Sequence, residues 1–233
     1  MSAHPASPAS FPSSPANPAN LEAELKFFGP GLPEFAALRG RLRGLGAEPL
    51  GRELERNEVF DDAAGRLRAA GRLLRLRLVA GCGGALWTVK VPAGGDGRLK
   101  RMLEYETEVA DADAARAALG GLGFGLAFVY EKLRETWRLP GGAAGEGGVH
   151  VCLDHLPFGP CVELEGRGEE VHGAARALRL PPELASTENY HALHARWRAG
   201  QGLPPQAGFA FPEAERRALE REFISSGDGP DPA

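Results

Sequence analysis

The chain predicts an α+β fold in which a closed eight-stranded antiparallel β-barrel carries helices packed against its outside. Three observations lead there. Charged residues recur at every second position in separate segments: Glu22, Glu24 and Lys26; Arg75 and Arg77; Glu104, Glu106 and Glu108; Lys132 and Arg134; Glu163 and Glu165. Side chains alternate between faces along a strand, so these groups point one way while Ala23, Leu25, Phe27, Leu74, Leu76 and Leu78 point the other. About eight such strand-like segments can be placed. Several amphipathic helices then need a partner surface, and the apolar strand face is the large one on offer. If helices cover that face, the charged face looks inward, and eight strands suffice to close around a lumen; an open antiparallel sheet that leaves its charges in water is the alternative.

Taken in order, residues 1–20 are mostly Pro, Ala, Ser and Asn and are expected to be a disordered lead. Strands are expected at 21–28, 49–61, 72–80, 85–92, 99–110, 124–138, 148–155 and 160–166, with turns marked by glycines such as Gly83-Gly84. A helix over 33–45 would place Phe35, Leu38, Leu42 and Leu45 on one side. A second over 112–121 is opened by a capping Asp111 or Asp113 and closed by Gly120-Gly121. Further helical patterns occupy 169–178, 187–198 and 212–223. The expected organisation is a barrel domain over 21–200, a helical extension over 201–223 and a disordered tail over 224–233.

At 233 residues the chain can bury one substantial core. No basic region followed by an apolar run opens it and no stretch of about 18 apolar residues occurs, so a cytoplasmic protein without a membrane partner is expected. Cys82, Cys152 and Cys161 have no CxxC spacing and read as buried thiols. The net charge of −4 argues against a general nucleic-acid binder. Of 27 basic residues only Lys26, Lys90, Lys100 and Lys132 are lysines, and three of the four lie in the alternating segments.

Carboxylates two apart on one strand face are about 7 Å apart and, at an effective dielectric near 20, repel by roughly 2.4 kcal/mol. Such pairs attract a cation. Glu22 with Glu24, and Glu163 with Glu165, joined by Asp154, form an all-oxygen set suited to Mg²⁺ or Mn²⁺. Lys26, Arg75, Arg77, Lys90, Lys132 and Arg134 suffer the mirror-image repulsion and call for a polyanion. Magnesium with a polyanion is polyphosphate chemistry, and a lumen of both signs complements a metal–triphosphate complex. Neither a Walker loop nor a GxGxxG or GxSxG motif competes.

The ordered series then resembles a known family. Glu22-Ala-Glu24-Leu-Lys26 is similar to the ExExK signature of the CYTH group, or triphosphate tunnel metalloenzymes, which includes class IV adenylyl cyclases, thiamine triphosphatases and inorganic triphosphatases. Next come Asn57 to Asp61, Arg75 and Arg77, Thr88 and Lys90, Glu104 and Glu106, Lys132 and Arg134, Asp154, and Gly159 to Glu165 in GPxVExE form. The resemblance runs over about 21 to 197, where STENYHAL looks like the family's closing Ser-x-x-Tyr helix. Val59 departs from the Tyr common in relatives, and Asn57 stands where Asp is frequent. The resemblance implies an eight-stranded triphosphate tunnel, metal on the two ExE pairs and Asp154, and phosphates held by the basic residues.

A metal-dependent triphosphatase is the expected activity, with inorganic triphosphate, ATP or thiamine triphosphate as substrate. Lys26 would orient the terminal phosphate or the nucleophile. Glu104 and Glu106 would position water or metal, or pair with arginines, and His150 shares the parity of Asp154. Adenylyl cyclisation is the alternative reaction, and a non-catalytic polyphosphate-binding module the alternative class.

Overall fold

A computed structural model describes residues 21–94, 98–141 and 148–226, so the expected lead and the last seven residues of the expected tail lie outside the described residues. The strands are β1 (Leu21–Phe28), β2 (Glu48–Asp62), β3 (Leu73–Val79), β4 (Ala85–Pro92), β5 (Lys100–Val109), β6 (Phe124–Pro140), β7 (Gly148–Leu156), β8 (Gly159–Gly166) and the two-residue β9 (Ala185–Ser186). Their order is β5-β4-β3-β2-β6-β7-β8-β1-β9, and β5 pairs back onto β1. Eight strands therefore close into an antiparallel barrel. The ninth lies outside the ring on the edge of β1: β5 pairs with Leu21 to Glu24, and β9 takes over at Lys26 and Phe27.

Because most of the lumen side of the strands is charged, the largest apolar core lies outside the barrel. The largest joins Leu25 and Phe27 of β1, Val151 of β7 and Leu164 of β8 to two helices, α1 (Phe35–Gly44) through Leu38 and Leu42, and Glu169–Ala177 through Val171 and Ala174. A second core sets Leu74 and Leu76 against Ala115 and Leu119 of the helix Ala112–Gly121. A third closes one end of the barrel. There Leu193, on the helix Tyr190–Gly200, packs with Val59, Tyr130, Phe158 and Phe209. The helix Glu213–Ser226 reaches three residues beyond the expected end at 223 and packs near Leu54 and Leu133 through Leu219 and the preceding Phe211.

Local chemistry explains the boundaries. Asp111 accepts from the Ala114 N–H at 2.9 Å and Asn189 from the Ala192 N–H at 2.9 Å, which satisfies first-turn donors of two helices. β2 has an irregular register against β6 between Val59 and Phe60. Val59 joins the core at the barrel end, whereas Phe60 joins the one beneath the helix Ala112–Gly121. Asp61, in the segment that resembles the family, supports the local backbone. Its carboxylate accepts from the N–H groups of Leu67 and Arg68, at 2.9 and 3.0 Å, and so organises the short helix Arg66–Ala69 that the sequence pattern did not reveal.

Two apolar expectations change. Leu45 is exposed because the first helix ends at Gly44 and the chain turns away at Gly46, with φ +73°. Cys152 and Cys161 are buried as expected, whereas Cys82 is exposed in the turn before β4.

Leu42 is fully buried in the largest core. Leu42→Ala should lower the free energy of unfolding by about 2–5 kcal/mol in chemical denaturation, as cavity-forming core truncations do; a loss below about 1 kcal/mol would show that α1 is not held as described.

Candidate functional site

A cavity of about 800 Å³ runs inside the barrel. Glu22, Glu24 and Lys26 reach it from β1, and Glu163 and Glu165 from β8. Arg75 and Arg77 enter from β3, Lys90 from β4, Glu104 and Glu106 from β5, and Lys132 and Arg134 from β6. Twelve of the thirteen residues expected from the sequence thus share one space. The thirteenth, Asp154, is fully buried and does not line the cavity. Arg134 covers it, with Nε 2.8 Å from Oδ1 and Nη2 2.8 Å from Oδ2. Asp154 thereby orients Arg134 from behind. His150 is exposed and lies outside the cavity lining.

The strand order gathers charge by sign. β8, β1 and β5 are neighbours and carry most of the lumen carboxylates, whereas β4 and β3 supply Lys90, Arg75 and Arg77, and β6 supplies Lys132 and Arg134. At the seams the register pairs opposite charges, Lys26 against Glu163 and Lys90 against Glu104. Segregation along each strand therefore becomes pairing across strands, inside the barrel rather than in water.

Within the acidic side the carboxylates divide into two kinds. Burial would raise the pKa of Glu24, but Lys26, whose Nζ is 2.9 Å away, outweighs it and lowers the value to about 2; Lys100 bonds the same oxygen. Burial likewise opposes ionisation of Glu163, and Lys26 and Arg134 overcome it. Burial would lower the Lys26 pKa, yet Glu163 and Glu24 hold it above the ordinary range. Glu22 behaves otherwise. Burial, then repulsion from Glu165 and Glu104, pushes its pKa up to about 8, and Lys90 offsets this only in part. Glu165 is raised too, by burial and by Glu163. Glu22 and Glu165 are therefore left under-neutralised in an acidic corner whose third carboxylate, Glu104, is paired with Lys90.

The basic side is held by groups that were not among the expected site residues. Tyr190, first residue of its helix, sets its hydroxyl 2.6 Å from Glu163 Oε2 and in hydrogen-bond contact with Asp154. Lys26 Nζ and Lys132 Nζ lie 4.8 and 5.1 Å from its ring centroid. Glu55, fully buried, stands 3.7 Å from Lys132, 3.7 Å from Arg77 and 3.9 Å from Arg134, and these cations keep it ionised against the cost of burial. Arg75 donates through Nη1 to Tyr130 and through Nη2 to Thr88, each at 3.1 Å. The buried Nε atoms of Arg75 and Arg77 have no hydrogen-bond partner, so donor capacity remains open on this side. Parity along RELERN could have identified Glu55 and Asn57. Tyr190 comes from a helix outside the strands, and only the likeness of STENYHAL to the family's closing helix pointed to it.

A family model described as the CYTH domain matches residues 20–190, well over half of the chain and every strand of the barrel. The chain belongs to the CYTH family. Solved structures share the fold. An adenylate cyclase candidate from Vibrio parahaemolyticus is 20% identical with a TM-score of 0.60, over 75% of this chain and 98% of that one. The PH1819 protein of Pyrococcus horikoshii is 22% identical with a TM-score of 0.59, over 75% and 98%. HpAC1 of Hippeastrum, an adenylyl cyclase candidate described as having a dominant triphosphatase activity, is 18% identical with a TM-score of 0.53, over 80% and 99%. No protein of curated function matches this CYTH chain in sequence. Among the described residues no helix is long and apolar enough to cross a membrane.

The Glu22 pKa is raised above its unfolded value, so ionising Glu22 costs folding free energy. Its contribution to stability is complete below the unfolded value near 4.5 and is lost as pH rises through about 8. Glu22→Gln should therefore raise the Tm of the metal-free protein more at pH 9 than at pH 5; equal shifts would contradict the acidic corner. Tyr190→Phe should lower stability by about 1–3 kcal/mol in chemical denaturation, because it strips a buried donor from two carboxylates; an unchanged value would show that Arg134 alone satisfies them.

Proposed function

We propose that this CYTH protein is a divalent-metal-dependent triphosphatase that hydrolyses inorganic triphosphate or the triphosphate of an organic substrate. The observation that carries the reading is the acidic corner of Glu22, Glu104 and Glu165, under-neutralised at Glu22 and Glu165, sharing one cavity with Arg75, Arg77, Lys132 and Arg134. The corner takes a hard cation, and the open guanidinium donors take phosphate oxygens.

The donor set fits Mg²⁺ or Mn²⁺: oxygen ligands only, with an excess of negative charge that a dication would neutralise. Among the described residues no group of three or more His, Cys, Asp or Glu side chains stands arranged as around an ion. Glu22, Glu104 and Glu165 are the ligands proposed, with Glu24 and Glu163 in reserve once Lys26 turns from them to a phosphate. Asp154 is assigned to Arg134 instead. Bound there, the metal would polarise phosphate oxygens and lower the pKa of water.

The chain's own residues do the rest. Arg75, Arg77 and Lys132 bind and orient the phosphate chain, and their charge favours the transition state as negative charge spreads over the transferred group. Arg134 is fixed by Asp154 and Glu163, so it needs little reorganisation when substrate enters. Glu55 keeps three cations together in the absence of substrate, which limits their mutual repulsion. Hydrolysis asks of the site a phosphate grip, a cation and a water; cyclisation asks in addition for a held ribose.

Purified protein offered inorganic triphosphate, ATP and thiamine triphosphate with Mn²⁺ or Mg²⁺ should release orthophosphate, and removing the metal with a chelator should abolish release. Glu165→Gln should cut kcat by about 10²-fold or more with the fold retained, the scale of losing a group that stabilises transition-state charge or its metal. Cyclic AMP as the main product from ATP would replace hydrolysis with cyclisation, and metal-independent binding without turnover would make the protein a binding module.

A further inference from the structure

Beyond the family match, which stops at residue 190, the chain returns to the barrel. Residues 208–211 run along β6 where β7 does not pair with it, since β7 engages Leu133 to Pro140 only. The Phe209 N–H donates to the Val129 carbonyl at 3.1 Å and the Glu131 N–H donates to the Phe209 carbonyl at 2.9 Å, a parallel bridge centred on Tyr130. Phe211 N–H then donates to Glu131 Oε2 at 3.1 Å. Gly208 makes this approach possible. A Cβ there would stand 2.3 Å from the Val129 carbonyl oxygen, a contact with rigid backbone that no side chain can relieve.

The bridge delivers one side chain to the site's periphery. Phe209 is buried, with its ring centroid 5.5 Å from that of Tyr130 and 4.9 Å from that of Phe158. Tyr130 lines the cavity, and its hydroxyl accepts from Arg75 Nη1. Gln206 and Ala207, just upstream, line the cavity themselves, and the Ala207 carbonyl contacts His191 Nδ1 at 3.1 Å.

From this chain of contacts we infer that Gly208 and Phe209, outside the family domain, are positioning residues for the triphosphate grip: the close approach at Gly208 seats Phe209, Phe209 fixes the Tyr130 ring, and the Tyr130 hydroxyl aims Arg75 into the tunnel. The functional part of the inference rests on the proposed triphosphatase reading. Its structural part does not. Arg75 has a second hydrogen bond, to Thr88, so loss of the Tyr130 contact leaves the guanidinium in place but free to turn.

The test is a double-mutant cycle on kcat/KM for inorganic triphosphate with Mn²⁺, beside a ligand-free measurement. Gly208→Ala and Tyr130→Phe should each lower kcat/KM by about tenfold, the scale of one hydrogen bond to a charged group, and the double variant by about tenfold in total rather than a hundredfold. In ligand-free protein the Arg75 Nε resonance should move in Gly208→Ala as it does in Tyr130→Phe. Should Gly208→Ala not fold, Phe209→Leu, which keeps an apolar filler and removes the ring contact, serves in the same cycle. Additive losses, or an Arg75 resonance unmoved by Gly208→Ala or Phe209→Leu, would overturn the positioning role. Wild-type protein that turns over no triphosphate would overturn the triphosphatase reading instead, and the Arg75 resonance would still decide the structural part.

Discussion

The structure depends on the antiparallel pairing of Leu21 to Glu24 with Lys100 to Leu103. Without those four residue pairs the eight strands would be an open sheet, and the charges on one face would meet water. Closure brings β8, β1 and β5 side by side and removes the lumen from bulk solvent, which is why Glu22 holds its proton to about pH 8 while Glu24, two residues along, ionises near 2. The same ring that concentrates the charges forces the apolar packing outward. Helices cover the barrel because most of its interior is charged and only one end is packed with apolar side chains.

Inside the lumen the charges are neither free nor idle. Buried ion pairs such as Lys26 with Glu163 offset their desolvation only when geometry is good and the remaining donors are met. Tyr190 and Asp154 meet them on the basic side. The acidic side is left short at Glu22 and Glu165, where burial and neighbouring carboxylates raise the pKa.

Much of this was legible in the sequence because strand periodicity is so regular. Parity put the alternating charges of each strand on one face, and all of them but the exposed Glu108 line the cavity, while Leu38 and Leu42 of the first helix were placed on its buried side. What escaped was of two kinds. Asp154 has the right parity for the lumen, yet whether it meets a metal or an arginine depends on β6 lying beside β7, a cross-strand fact that no single strand states. Tyr190 and Phe209 enter from a helix and a returning loop, where no period announces which residue turns inward. Lys100 lies at the start of β5, and its role in holding Glu24 follows from closure onto β1.

The irregular pairing of β2 with β6 between Val59 and Phe60 carries a consequence for how such a barrel can diverge. Each strand encodes two messages in alternate letters, one for the helices outside and one for the ligand within. Inserting a single residue into a strand exchanges the messages for everything beyond it, laying carboxylates against leucines. Substitution changes one letter and leaves the other message intact. Sequence change in this architecture is therefore channelled into replacements within strands and length changes in the connections, which fits a barrel whose solved counterparts keep the fold at about one residue in five.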